Sequence, residues 1–326
     1  MSFSSRICSK KTVIEWGSTA VKIIDSYRDR EGITLRKAAK LIPDEALSSE
    51  LSSLWKHNGF SYANVVLCLD GPETLIRVID FPHIDKKSLR DSLGFELENH
   101  TPFSQNDVYF DYEILDDQGA NGNMKLLIAL VKRDFLDEKL ALLDESAVCP
   151  VKVTLNPVVL SNVVSIMGMS SGTAALFDMG NISSMLTVIN HGRIVFSREI
   201  KKGAQDIFSK LQNIVEARVS SFKDFSIHRH RINRSVLYDV TVDITAEIKM
   251  SIDFIESKEN ISVKKIFIPG GMTKNQDLFD VFSSVIGVET AVFDVENRVI
   301  VPDLVKQDID DSSVDFSVAI GALLEN

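Results

Sequence analysis

The sequence predicts an α/β protein of two lobes that repeat one motif, with a compact α+β subdomain inserted into the first. Three observations carry that expectation. A unit of strand, acidic residue, glycine, small polar turn and strand occurs twice, as Glu15-Trp-Gly-Ser-Thr-Ala-Val-Lys22 and as Asp178-Met-Gly-Asn-Ile-Ser-Ser-Met-Leu186. Between the two units the texture changes, and short alternating strands are interleaved with an amphipathic helix. A later strand, Ile266-Phe-Ile-Pro269, runs into Gly270-Gly271 and opens a helix.

Taken in order, β-rich runs on either side of Gly17-Ser18-Thr19 predict a hairpin with a polar tip. A polar stretch follows, and Leu47, Leu51, Leu54 and Trp55 share one face of a helix over residues 44–57. The run 64–70 is a buried strand stopped by Gly71-Pro72. In the inserted part, residues 75–81 alternate, and Leu89, Leu93 and Leu97 mark a helix that ends before Thr101-Pro102. Strands at 108–115 and 125–131, a helix at 133–146 and a strand at 150–155 complete it. Residues 157–169 read as an apolar helix. The second strand system starts at Thr173, and Asn190-His191-Gly192 makes a tight hairpin turn into 193–200. Helices follow at 206–221 and 242–257, after the strand at 265–269 from about 275 to 286, and over the small-residue run 317–324. The expected boundaries are 1–71 for the first lobe, 72–152 for the insert, 153–170 for the return to the first lobe, and 171–326 for the second lobe.

Composition excludes several classes. At 326 residues the chain has length for about two domains and for a core that needs no disulfides. The net charge of −10 argues against nucleic-acid binding and against a polybasic membrane binder. Cys8, Cys68 and Cys149 are odd in number and widely spaced, which fits a reducing compartment and supports neither a disulfide framework nor a zinc site. The first residues lack the apolar core of a signal peptide, and no apolar run approaches the roughly 20 residues of a membrane helix. The expectation is a cytoplasmic protein without direct membrane insertion.

Chemistry concentrates in the three repeated or glycine-marked elements. Hairpin tips of Gly, Ser and Thr can aim N–H and hydroxyl donors at phosphates from two sides. An acid at each strand end can hold Mg²⁺ beside them, usually through water. A glycine pair at a helix start admits a flat base or ribose close to the backbone. The bland alternative is two unrelated hairpins with ordinary turn residues. No Gly-x-Ser-x-Gly or Cys–His arrangement suggests covalent catalysis. The basic cluster His228-Arg-His-Arg-Ile-Asn-Arg234 reads as a solvated loop or as a contact for an acidic partner or lipid phosphate.

On these residues the chain resembles the actin-like ATPase superfamily. Val65-Val-Leu-Cys-Leu-Asp-Gly71, Arg77-Val-Ile-Asp-Phe-Pro82, Phe95-Glu-Leu-Glu-Asn-His-Thr-Pro-Phe103 and Val108-Tyr-Phe-Asp-Tyr112 narrow the resemblance to the family of the type IV pilus assembly protein PilM, and Glu247–Phe254 and Val318–Gly321 agree. The resemblance implies an actin-like (ribonuclease-H-like) two-lobed fold with an inserted α+β subdomain of the FtsA/PilM type. It implies ATP and Mg²⁺ as cofactors. Glu15, Gly17, Ser18, Thr19 and Lys22 would form the first phosphate hairpin, and Asp178, Gly180 and Ser183 the second. Glu15 and Asp178 would hold Mg²⁺ through water, Gly270 and Gly271 would contact adenosine, and Glu247 would reach the ribose. It also implies a scaffold on the inner face of the cytoplasmic membrane, holding the cytoplasmic tail of a PilN-like membrane protein in a groove near Arg77, Phe81, Glu96, Pro102 and Phe103, alongside other proteins of the assembly platform.

The departures from the family pattern bear on catalysis. Glu15 replaces an Asp, and Thr154 and Asn156 stand where carboxylates are usual. The expectation is nucleotide binding with slow or absent hydrolysis at a site short of acids. The alternatives are a nucleotide-free adaptor of a type II secretion system, resembling GspL, and an active actin-like ATPase or sugar kinase.

Overall fold

The computed structural model describes residues 9–117, 122–168, 171–216, 219, 232–270, 272, 275–308 and 316–325. Gly271, Cys8 and His228–Arg231 of the basic cluster lie outside them.

The first sheet begins with the hairpin β1 (Ser9–Trp16) and β2 (Val21–Arg28), followed by β3 (Ile33–Leu41), the helix α1 (Leu47–Lys56) and β4 (Val65–Leu69). β4 is apolar at all five positions and buried throughout, as a strand covered on both faces must be. The insert follows as β5 (Thr74–Pro82), α2 (Lys86–His100), β6 (Val108–Asp116), β7 (Asn123–Lys132) and α3 (Arg133–Asp144). The chain then returns through β8 (Lys152–Leu155) and α4 (Asn156–Ile166). The second sheet is built from β9 (Thr173–Met179), β10 (Ser184–Asn190) and β11 (Arg193–Ile200), then, after α5 (Ala204–Val215) and α6 (Arg234–Glu259), β12 (Lys265–Ile268). α7 (Gln276–Ile286), β13 (Glu289–Val292), α8 (Asp303–Asp308) and α9 (Ser317–Leu324) complete the described elements.

The two large sheets have one topology. The orders are β3-β2-β1-β4-β8 and β11-β10-β9-β12-β13. In each, the first three strands are antiparallel and the last two run parallel to the first. The internal echo of the sequence is therefore an echo of architecture.

Packing arranges these sheets in layers. α1 and α3 cover the outer face of the first sheet through Leu51, Leu54, Trp55 and Leu143. α4 and α9 fill the space between the sheets, where Val159, Val163, Ala319 and Ile320 meet Val13 and Val66 on one side and Leu176 and Ile189 on the other. α9 is buried on nearly every side, which its uniformly small and apolar sequence allows. α5, α6 and α7 cover the outer face of the second sheet. The insert has its own core, with Leu89, Leu93 and Leu97 of α2 on the sheet β5-β7-β6. It touches the second lobe through Lys125 Nζ and Glu259 Oε2 at 2.7 Å and through Arg193, which donates to the Leu115 carbonyl.

Several elements differ from the sequence reading. β3 occupies what reads as a polar stretch, because Arg36, Lys37 and Lys40 suit an edge strand and a bulge at Asp25/Ser26 shifts its register. α6 begins eight residues earlier than 242, at a cap where Asn233 accepts a bond from the Val236 N–H at 3.0 Å. Its β-branched start conceals it. The short β13 and α8 carry no sequence period long enough to register. Among the described residues no helix is long and apolar enough to cross a membrane.

A cavity of about 460 Å³ lies where β1, β4 and β8 begin, lined by Lys10, Lys11, Arg28, Lys152 and Glu325 among others. Three of its cations serve the end of α9: Lys11 donates to the Ala322 and Glu325 carbonyls at 2.7 and 2.8 Å, Arg28 to that of Leu323, and Lys152 pairs with Glu325.

Candidate functional site

The opposite end of both sheets is where β1, β4, β8, β9, β12 and β13 finish. In sheets with parallel strands this end offers a crevice for ligands, because backbone groups and helix starts converge there. The two hairpins meet at it.

In the first hairpin Gly17 N–H closes the turn on the Ala20 carbonyl at 3.0 Å, leaving Ser18 and Thr19 exposed at the tip. Glu15 and Lys22 are direct cross-strand partners and form an ion pair at 2.8 Å. Glu15 is 6% exposed, and its second oxygen, Oε2, is buried without a hydrogen-bond partner. An orphaned buried acceptor of this kind fits a bound cation or an ordered water.

In the second hairpin a Cβ at Gly180 would lie 2.4 Å from the Ser183 carbonyl oxygen, so only glycine closes this tip without displacing backbone. The start of α5 is pressed onto the same tip. Ala204 and Gln205 N–H donate to the Gly180 and Asn181 carbonyls at 3.0 Å each, and a Cβ at Gly203 would lie 2.4 Å from the Asn181 oxygen. Ser183 is half-exposed, whereas Ser184 is buried and donates to the Lys202 carbonyl at 2.7 Å. Ile182 stands out of the tip, 56% exposed.

Asp178 and Glu15 are electrostatic neighbours through a residue the sequence reading passed over. Asp70 follows β4 directly, and its Oδ2 would lie 3.9 Å from a Cβ at Gly180, so a carboxylate of the first lobe reaches the hairpin of the second. Burial and then the charges of Asp70 and Glu15 push the Asp178 carboxyl up to about 7, against a smaller pull from Lys22. Asp70 is raised as well, by burial first and then by Glu15 and Glu199, while a bond from the Gly71 backbone opposes the shift. The expectation of a site short of acids is therefore corrected. Thr154 and Asn156 are uncharged, but Asp70 stands one strand away on the same row. Cys68 pairs in register with Glu15 and with Thr154, and two residues further along each strand come Gly17, Asp70 and Asn156. Asn156 Oδ1 is also buried and unpartnered. The signal for Asp70 in the sequence is an acid ending a wholly apolar strand. Among the described residues no group of three or more His, Cys, Asp and Glu is placed to hold a metal ion directly.

The remaining expected site residues are more dispersed. Gly270 stands two residues beyond β12 with φ of +89°, a conformation that favours glycine. Glu247, on α6, is held by Arg198 of β11 at 2.9 Å, and Arg198 also donates to Ser251 at 2.8 Å. Arg77 of β5 donates to the His100 carbonyl at the C-terminal end of α2. Glu96 is exposed and accepts from Asn99 at 2.6 Å. Pro102 is exposed, and Phe103 is half-buried with the Lys132 ammonium 5.5 Å from its ring centre. Arg77, Pro102 and Phe103 thus gather around the end of α2. Phe81 is 3% exposed and packs in the insert core with its ring 6.3 Å from that of His100, so it supports this surface from inside.

The sequence profile described as Type IV pilus assembly protein PilM matches residues 18–326. The fold is similar to a chain of the PilM-PilN type IV pilus biogenesis complex, with a TM-score of 0.76 at 17% identity, over 95% of this chain and 96% of that one. It is less similar to the ethanolamine utilization protein EutJ from Carboxydothermus hydrogenoformans, with a TM-score of 0.53 at 14% identity, over 87% and 84% of the two chains. No curated protein matches the chain in sequence. The architecture is the actin-like ATPase fold.

Proposed function

The chain belongs to the type IV pilus assembly protein PilM family, and from that premise we propose that it is a cytoplasmic, nucleotide-binding scaffold of a pilus assembly platform. Its partner is the cytoplasmic tail of a PilN-like membrane protein, which holds it on the inner face of the membrane. The observation that carries this reading is the likeness to the PilM-PilN complex chain, which extends over both lobes and the insert. The sequence boundaries near residues 72, 152 and 170 divide the protein by function as well, with the tail docking between the first lobe and the insert. Arg77, Glu96, Pro102 and Phe103 offer a cation, an anion and two apolar groups to an extended peptide. Such a peptide gains main-chain hydrogen bonds at a strand edge and specificity from side-chain pockets.

The cleft supports a nucleotide with its ion. Ser18, Thr19 and Ser183 supply hydroxyl donors at the two tips, and Glu15, Asp70 and Asp178 supply negative charge beside them. Glu15 Oε2 and Asn156 Oδ1 are buried acceptors in want of a cation or a water. Bound Mg²⁺ would supply charge neutralisation at the phosphates. Gly270 leaves room for the nucleoside at the end of β12. Phosphoryl transfer to water also requires an oriented nucleophile. Asp70 and Asp178 supply acids at the hairpins, but Thr154 and Asn156, on the strand end where a carboxylate would orient the water, carry no charge, so the nucleotide acts as a structural ligand and turnover stays well below about 1 per second.

The test is co-expression with a PilN-like membrane protein. The chain should sediment with membranes and return to the soluble fraction when that protein's cytoplasmic tail is deleted. Sedimentation unaffected by the deletion would contradict the scaffold reading.

A further inference from the structure

We propose that the cavity at the start of β1, β4 and β8 is a binding site for a phosphorylated small molecule, separate from the nucleotide cleft and at the other end of the first sheet. The inference stands independently of the nucleotide reading.

Place and size come first. The cavity encloses about 460 Å³, within the range of small-molecule sites. It lies at the amino ends of the parallel strands, where the sheet itself offers no crevice for a ligand. Any attraction for a ligand must therefore come from side chains. Ile33, Val66 and Leu323, each at most 6% exposed, give the cavity apolar walls, and four cations, Lys10, Lys11, Arg28 and Lys152, line it with them. A phosphate on an organic frame matches that pairing of charge and apolar wall.

Charge comes second. Lys11 and Arg28 cap the end of α9, but the end of a helix carries only about half a negative charge. Glu325, held by Lys152 at 2.6 Å and by Asn162 at 2.7 Å, is the one carboxylate among the described residues that line the cavity. Lys10 is exposed and has no ion-pair partner among the described residues. Asp25 feels its charge, but Asp25 is paired with Arg36 at 3.1 Å. The cavity thus keeps a surplus of roughly two to three positive charges, in a chain whose net charge is −10. The cluster itself feels that surplus. Burial first, and then Lys152 and Arg28 working against the pull of Glu325, hold the Lys11 ammonium below the usual lysine range.

Donors come third. Lys11 uses two of its three N–H donors on the Ala322 and Glu325 carbonyls, and Lys152 uses one on Glu325. The other ammonium donors of Lys10, Lys11 and Lys152 border one volume. Lysine ammoniums act as mobile point charges, which suits phosphate oxygens approached from several sides. A phosphate monoester brings about −1.5 to −2 charges, close to the surplus, whereas a single carboxylate would leave most of it uncompensated.

The experiment is titration calorimetry of the full chain with inorganic pyrophosphate at low salt. It compares the unaltered protein with Lys10→Glu, Lys10→Arg and, at the tip of the first hairpin, Thr19→Glu. Flotation with phosphatidylglycerol vesicles runs beside it. Pyrophosphate should bind with a Kd below about 1 mM. Lys10→Glu should weaken it at least about ten-fold, and Lys10→Arg and Thr19→Glu should each leave it within about two-fold. The acidic chain should not float, which assigns the site to a soluble compound. Flotation that Lys10→Glu abolishes would assign the same phosphate chemistry to a lipid headgroup. No heat at ~10 mM pyrophosphate together with no flotation overturns the inference. Pyrophosphate binding indifferent to Lys10→Glu also overturns it, because the anion then sits elsewhere.

Discussion

Asp178 holds its proton far above the usual carboxylate range, to about 7, because burial and the charges of Asp70 and Glu15 penalise the anion. A proton kept by the folded chain and already lost by the unfolded one ties stability to acidity. As pH rises from about 4 to about 7, the unfolded state gives up this proton first, so the folded state loses stability across that window and is flat above it. Asp178→Asn should be more stable than the unaltered protein at pH 8, and should lack this part of the pH slope in thermal unfolding. At Gly180 a side chain meets backbone. Gly180→Ala should cost roughly 1–3 kcal/mol in chemical denaturation, because the Ser183 carbonyl at 2.4 Å cannot yield without opening the tip. The hairpin residues were legible in the sequence because Gly and small polar residues between β-rich runs have a local meaning. Asp70 was not. Before Gly71-Pro72 an acid reads as turn chemistry, and its place between the lobes depends on which strand ends adjoin, a property of pairings far apart in sequence.

Glycines inside helices separate two kinds of packing at the scale of the element. Gly94 lies in the middle of α2, and a Cβ there would meet the Gln105 amide at 2.5 Å, the far end of a flexible and exposed side chain. Gly321 lies in α9, where a Cβ would come within 2.9 Å of Val163 and 3.2 Å of Val159 on α4. Gly94→Ala should therefore raise stability by up to about 1 kcal/mol through helix propensity. Gly321→Ala should lower it by roughly 1–3 kcal/mol, since stiff, fully buried valines leave no room. Opposite shifts in urea midpoint check the pair. The leucine period of α2 and the apolar runs of β4 and α9 were legible because each element obeys one periodicity along its length. β3 and the start of α6 were hidden where charge on an edge strand and β-branched residues in a helix contradict local propensity, and tertiary pairing prevails.

Across the whole molecule, one topology used twice produces a crevice with two facing hairpins, and the insert gives the first lobe a second surface of its own. The opening motif repeat foretold the two lobes. The layer order was not legible, because it requires knowing that α4 and α9, about 150 residues apart, lie side by side between the sheets. If the crevice holds a nucleotide and its ion, millimolar Mg·ATP should raise the melting temperature, since a ligand bound only by the folded state must stabilise it. A melting curve that does not move would leave the scaffold and remove the nucleotide. The central claim is the grip on a membrane protein's tail, and titration calorimetry tests it most directly. A synthetic peptide of the cytoplasmic tail of a PilN-like membrane protein should bind the full chain one to one with micromolar affinity or better, and Arg77→Glu should weaken it by about ten-fold, or roughly 1.4 kcal/mol. No heat of binding at millimolar peptide, or binding indifferent to Arg77→Glu, Glu96→Lys and Phe103→Ala alike, would contradict the account.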